Sequence, residues 1–232
     1  MDTAEASQSP QHGKPAEAVL VISSKNYSSW SLRGWLLVRM SGLAFREQLV
    51  DPNDEASRAE LLLRASSIRV PMLIHDGVQI WDTLAIAEYL DELRPRAGLL
   101  PKERAARARC RSISGEMHSG FEALRSTLPM NLRMRRENFP LWSAVRADIA
   151  RIEEIWQECL ATWGGPWLFG AKRCAADAMY APVCTRFQSY GVKLSDAAAA
   201  YCAITLAHPD MREWFAAAEA EVEAFTELEV EF

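Results

Sequence analysis

The chain has 232 residues, 49% of them apolar, with 26 basic and 31 acidic side chains giving a net charge of −5. That is enough apolar material for one large domain or two small ones, and the interspersed charges build neither a basic field for nucleic acid nor a polybasic membrane anchor. No apolar run approaches the roughly 20 residues of a spanning helix, so neither nucleic acid nor membrane is expected as a partner.

Residues 1–17 are polar and lack the apolar stretch of a secretory signal, and are expected to form a disordered extension. A β-branched run over 19–24 predicts a first strand. Leu32, Trp35, Leu36, Met40 and Leu43 then form a helical stripe, and Gly42 supplies its C-terminal stop. A second strand is expected over 45–50, a polar loop over 51–57 and a short helix over 57–65.

Residues 66–92 are the most informative stretch. After Val70-Pro71 come two short β-prone runs, 72–75 and 78–81, joined by Asp76-Gly77, a strong hairpin signal. Asp82-Thr83 then opens a helix, with Thr83 at the expected N-cap and Leu84, Ile86, Tyr89, Leu90 and Leu93 as its buried stripe. A helix N-terminus beside a carboxylate and a hydroxyl suits a zwitterionic amino-acid group. The amides and dipole favour the ligand's carboxylate, and the aspartate favours its ammonium.

The order β-α-β-α-β-β-α through residue 93 is that of a thioredoxin-like domain, placed at 18–94. A turn-rich connector over 94–101 marks the boundary, and 102–228 reads as an all-helical domain. Its expected helices are 102–128, closed by Pro129, then 141–163, stopped by Gly164-Gly165-Pro166, then 174–191, 195–207 and a segment opened by Pro209. The five cysteines form no CxxC pair and no metal-ligand spacing with the four histidines. They read as buried, reduced thiols, in keeping with a cytoplasmic protein that needs no metal.

Val70-Pro71, Leu73, Asp76-Gly77, Ile80, Asp82-Thr83, Ala85-Ile86 and Glu88-Tyr89-Leu90 together resemble, without a gap, the glutathione half-site of the cytosolic glutathione transferases. The segment Trp167-Leu168-Phe169-Gly170, with Ala176-Asp177-Ala178 and Pro182, is similar to that family's buried capping box in the helical domain. There Cys174 stands where the family usually has Ser or Thr. Near the N-terminus, Ser28-Ser29-Trp30-Ser31-Leu32-Arg33 resembles the S-x-x-S-x-R start of the serine-type classes such as tau and zeta, as in bacterial serine-type members.

The resemblance implies glutathione as co-substrate, with the Ser28 hydroxyl facing the sulfur and Ser29 and Arg69 beside the peptide. It implies a cis Val70-Pro71 bond, with the Val70 backbone pairing with the cysteinyl unit and Asp82 and Thr83 taking the γ-glutamyl end. Arg58 and Arg69 are candidates for the glycine carboxylate. A thiol of ordinary pKa about 8.5 must be held as thiolate, and a hydroxyl donor at a helix N-terminus contributes roughly 1–2 pKa units through one charged hydrogen bond. Tyr27 is the alternative donor.

The pocket for an electrophile is expected between the domains, walled by Tyr27, Trp30, His118 and Phe121, with His118 and Glu122 one helical turn apart. The resemblance further implies a homodimer and three readings of function. The leading one is addition of glutathione to small apolar electrophiles, with a role in detoxification. A second is a zeta-like isomerase acting on an unsaturated dicarboxylate such as maleylacetoacetate, although Trp30 stands where the zeta motif has Cys. The third is a non-catalytic glutathione-binding or scaffolding protein.

Overall fold

The computed structural model describes residues 18–50 and 69–221. The expected extension at 1–17 and helix at 57–65, with Arg58, lie outside them.

β1 (Ala18–Ile22), α1 (Ser29–Ser41) and β2 (Phe45–Leu49) form the opening crossover, and β3 (Met72–His75), β4 (Val78–Trp81) and α2 (Thr83–Leu93) complete the first domain. The four strands run in the order β2-β1-β3-β4. β1 pairs parallel to β2, while β1–β3 and β3–β4 are antiparallel. Central β1 is buried on both faces, so its AVLVI sequence is apolar throughout rather than alternating. The hairpin turns where the sequence places it. Asp76 and Gly77 both have positive φ, 49° and 75°, as a tight hairpin turn of the primed type requires.

The second domain comprises α3 (Arg104–Ser119), α4 (Glu122–Thr127), α5 (Ser143–Trp163), α6 (Ala175–Ser189), α7 (Asp196–Ala207) and α8 (Pro209–Ala220). Thus a mixed four-stranded sheet with helices is followed by a helical domain, as the sequence predicts. α6 runs through the middle of the molecule with all but one of its residues buried, packed against α1, α3 and α7. Asp177 holds its start: the carboxylate accepts from Cys174 N at 2.8 Å, Leu168 N at 3.1 Å and the Tyr201 hydroxyl at 2.9 Å. Cys174 completes a capping box with Asp177, its Sγ also lies 3.8 Å from Cys110 Sγ, and all five cysteines are buried free thiols. No described helix is long and apolar enough to cross a membrane, and no group of three or more His, Cys, Asp or Glu among the described residues could hold a metal ion.

Two local expectations are corrected. The helix expected over 102–128 is two helices. Gly120 leaves the helix with φ −106° and ψ −165°, and Phe121 takes the left-handed region at φ 56°. The break places Glu122 at the start of a new helix, whose Leu124 N–H donates to Asp148 Oδ2 at 2.9 Å, so His118 and Glu122 share no helical turn. The second correction is at α2. Asp82, not Thr83, is the N-cap: its Oδ1 accepts from Leu84 N at 2.8 Å. A carboxylate caps as well as a hydroxyl does, and Thr83, one residue later, is buried with its Oγ1 unpaired among the described residues.

Candidate active site

The loop from Ser23 to Ser28 brings the first strand to the N-terminus of α1. It is fixed from the second domain. Buried Asn26 donates to Asn131 Oδ1 at 3.1 Å and accepts from Leu132 N at 2.8 Å. Glu221, just past α8, accepts from the Ser24 hydroxyl at 2.8 Å and from the Lys25 and Asn26 amides at 2.5 and 3.1 Å.

Ser28 is the N-cap of α1. Its Oγ accepts from Ser31 N at 3.2 Å and donates to Ser31 Oγ at 2.8 Å. Ser31 is fully buried, and its Oγ also accepts from Ser23 N at 3.1 Å. Capping occupies a lone pair of Ser28 and leaves its proton able to rotate from Ser31 to a charged group in front of the helix. Half-buried Ser28 therefore combines a cap with a movable donor at the positive end of a helix dipole. Tyr27, its neighbour, is half-buried.

The Val70-Pro71 bond is cis. Pro71 sits on α1 at Gly34, where a Cβ would fall 2.6 Å from the proline ring. This close approach holds the start of β3 against the helix that carries Ser28. Arg69, next to Val70, is exposed. Asp82 lies at the N-terminus of α2 with φ 75°, a conformation L-residues adopt at a cost. Its second oxygen, Oδ2, lies 2.5 Å from His118 Nε2.

Of the residues expected to wall an electrophile pocket, Trp30 and His118 are brought together. His118, in the last turn of α3, packs at 5.0 Å centroid distance against Trp30 of α1, the rings tilted by 59°. Phe121 does not line an open wall. It is buried in the main core, where it makes the turn into α4.

Three arginines cluster at the start of α1, two of them against Trp30 and the third on Ser29. The guanidinium carbons of Arg33 and Arg125 lie 4.5 and 5.0 Å from the Trp30 ring centroid. Arg33 is fully buried; its Nε donates to Met179 O at 2.8 Å, and neither Nη1 nor Nη2 has a hydrogen-bond partner among the described residues. Buried Arg186 of α6 donates from Nε to Leu128 O at 2.8 Å and from Nη2 to Ser29 Oγ at 3.3 Å, with Nη1 unpaired.

Burial, reinforced by Arg186 and Arg125, holds Arg33 well below the usual arginine value, and only the Tyr180 phenol works the other way. Burial and Arg125 push Arg186 down to about 10. Positive charge is thus concentrated behind the Ser28-Ser29 end of α1 without a compensating carboxylate acting on either buried guanidinium among the described residues.

The two domains match established sequence patterns: residues 27–93 that of "Glutathione S-transferase, N-terminal domain" and residues 104–217 that of "Glutathione S-transferase, C-terminal domain". The chain belongs to the glutathione S-transferase family. Maleylacetoacetate isomerase of Rattus norvegicus is 29% identical over 190 residues, spanning 80% of this chain and 83% of that one. A probable maleylacetoacetate isomerase of Caenorhabditis elegans is 31% identical over 119 residues, 51% of this chain and 55% of that one.

Among solved structures, a glutathione transferase homolog from Burkholderia with bound glutathione superposes with a TM-score of 0.67 at 21% identity, over 88% of this chain and all of that one. Maleylacetoacetate isomerase from Anaeromyxobacter dehalogenans superposes with a TM-score of 0.65 at 24% identity, over 90% and 95% of the two chains. These superpositions show the fold.

In this glutathione S-transferase the residues expected around the peptide, Ser28, Val70, Pro71, Asp82 and Thr83, belong to the loop ends and helix starts of the first domain. Asn26, Asn131 and Glu221 were not foreseen. An asparagine before a helix reads locally as a turn residue, and its partners are more than 100 residues away, at |i−j| of 105 for Asn131.

Proposed function

We propose that the chain is a glutathione-dependent isomerase of the maleylacetoacetate type, acting on an unsaturated acid. The observation that carries this reading over addition to apolar electrophiles is the arginine layer at the start of α1, Arg33 and Arg125 against Trp30 and Arg186 on Ser29. Two buried guanidiniums without a counter-charge are unfavourable, and a carboxylate-bearing acceptor would offset that cost where a neutral aryl halide would not. The names of the relatives point the same way.

Glutathione supplies a thiol that, as thiolate, adds reversibly to a conjugated double bond, permits rotation about it, and departs unchanged. The protein's own part follows from the site. Ser28 turns its hydroxyl proton from Ser31 toward the sulfur, and the N-terminus of α1 favours the negative charge. The Val70 backbone aligns the peptide as an added strand would, and Asp82 takes the γ-glutamyl ammonium. Half-buried Arg125 meets the acceptor's carboxylate, with Arg186 and Arg33 supplying positive potential from below.

One observation favours the transferase reading. Trp30 fills the position of the zeta motif's cysteine and is held between arginines and His118, which makes the pocket wall bulky and aromatic. The deciding experiment supplies maleylacetoacetate and, separately, a neutral aryl halide, each with and without glutathione. Isomerisation that requires glutathione supports the proposal. Conjugation of the halide with no isomerisation rejects it in favour of the transferase, and inactivity toward both despite glutathione binding favours a non-catalytic role.

A further inference from the structure

His118 belongs to the second domain, yet its Nε2 lies 2.5 Å from Oδ2 of Asp82, the N-cap of a helix in the first domain. Asp82 therefore has both oxygens engaged, Oδ1 by Leu84 N and Oδ2 by His118. A carboxylate at φ 75° held from two sides has one orientation, set before any ligand arrives. Because a carboxylate oxygen accepts more than one hydrogen bond, an ammonium can join His118 there without displacing it. The same imidazole packs against Trp30 at 5.0 Å, and its backbone carbonyl accepts from Arg125 Nη1 at 3.4 Å. Both Asp82 and His118 are part-exposed, with side chains 41% and 30% accessible, so the junction is open to a ligand.

We infer that His118 is a positioning residue that couples the γ-glutamyl site to the acceptor pocket: it fixes the Asp82 carboxylate for the ammonium of glutathione and carries that orientation to the Trp30 wall. The inference rests on the reading of Asp82 as the ammonium partner. In its neutral form His118 donates the Nε2 proton and leaves the carboxylate its full charge. Preorganisation of this kind lowers the ordering cost of binding. It also ties the first domain to the second, because Oδ2 of Asp82 meets His118 only when α3 is seated against α2.

The test uses the full chain and titration calorimetry with glutathione and with S-hexylglutathione, whose alkyl arm enters the acceptor pocket. His118→Phe keeps a ring against Trp30 but cannot donate, and is expected to weaken glutathione about tenfold, as loss of a charge-assisted hydrogen bond does. His118→Gln can still donate to Asp82 and is expected to stay within about threefold of wild type. The extra affinity of S-hexylglutathione over glutathione should fall in His118→Phe, which breaks the link to Asp82, and stay near wild type in His118→Gln.

If His118→Phe binds glutathione like wild type, or if His118→Gln is as weak as His118→Phe, the positioning role is wrong. An S-hexyl increment unchanged in His118→Phe overturns the coupling. Asp82→Asn separates the two layers. If it leaves glutathione affinity intact, the ammonium assignment fails. If it weakens binding while His118→Phe does not, that assignment stands and only the role of His118 falls. Matching thermal melts of the Phe and Gln variants keep a folding defect from imitating the result.

Discussion

Pro71 rests on Gly34 so closely that a Cβ on residue 34 would lie 2.6 Å from both Cβ and Cγ of the proline ring. Gly34 is in the middle of α1, where glycine is disfavoured by about 1 kcal/mol relative to alanine, so its presence there answers to this contact. Gly34→Ala should gain helix propensity and lose more by overpacking, which typically costs about 1–3 kcal/mol. The displaced Pro71 moves the Val70 backbone with it. We expect a lower melting temperature together with weaker glutathione binding. Unchanged affinity and a raised melting temperature would mean that α1 and β3 can separate without harm to the site.

Arg33 offers a test in which stability and function move apart. Its guanidinium is buried, has two unpaired nitrogens and sits among like charges. Replacing a buried, uncompensated charge by an apolar side chain of similar length is often neutral or stabilising. Arg33→Met should therefore melt at or above the wild-type temperature, despite losing the bond to Met179 O. If the arginine layer serves an acidic acceptor, the same variant should raise KM for that acceptor and leave glutathione affinity near wild type. A large loss of stability would instead make Arg33 a structural tie between α1 and α6.

The features that could be read from the sequence are local. Asp76-Gly77 forces its turn through the φ of two adjacent residues, and Gly42 and Gly164 stop their helices in the left-handed conformation, φ 69° and 80°, at the expected positions. Val70-Pro71 and Asp82-Thr83 were visible as an ordered series. The break at Gly120-Phe121 was not, because a single glycine is tolerated within a helix and nothing nearby signals that Phe121 will take φ 56°. The arginine layer was hidden for another reason. Arg33 reads only as a motif position and Arg125 and Arg186 as solvated surface charges, and only the packing of α6 on α1 brings Arg186 to Ser29 across 157 residues.

Val78 and Trp81 on β4 and Leu93 at the end of α2 are exposed, at 49%, 41% and 36%. β4 is an edge strand, and large apolar residues on an edge invite a partner. A homodimer burying this side, the commonest symmetric assembly, is the expected state. Sedimentation at micromolar concentration should give twice the chain mass of 26.0 kDa. Trp81→Glu should shift it to monomer, whereas a wild-type monomer would remove the dimer from the account of this site.

The sharpest prediction concerns Ser28. Its Oγ already has a structural duty, accepting from Ser31 N at 3.2 Å, so substitution by alanine removes a helix cap as well as any donor to sulfur. The capping loss is about 1 kcal/mol and independent of pH near neutrality. The chemical loss has a different signature. Without the hydroxyl, the bound thiol's pKa should rise by about 1–2 units. Less thiolate is then present near neutral pH, so the rate falls on the order of tenfold to a hundredfold and recovers as the pH climbs toward the free-thiol value. Glutathione affinity should change much less, because the contacts proposed for it lie mainly on the Val70 backbone and Asp82. Tyr27→Phe is the control and should leave the thiolate's ultraviolet titration where it was. If Ser28→Ala shows only lower stability with an unshifted titration, Ser28 is a cap alone; a titration moved by Tyr27→Phe and not by Ser28→Ala transfers the role to the phenol.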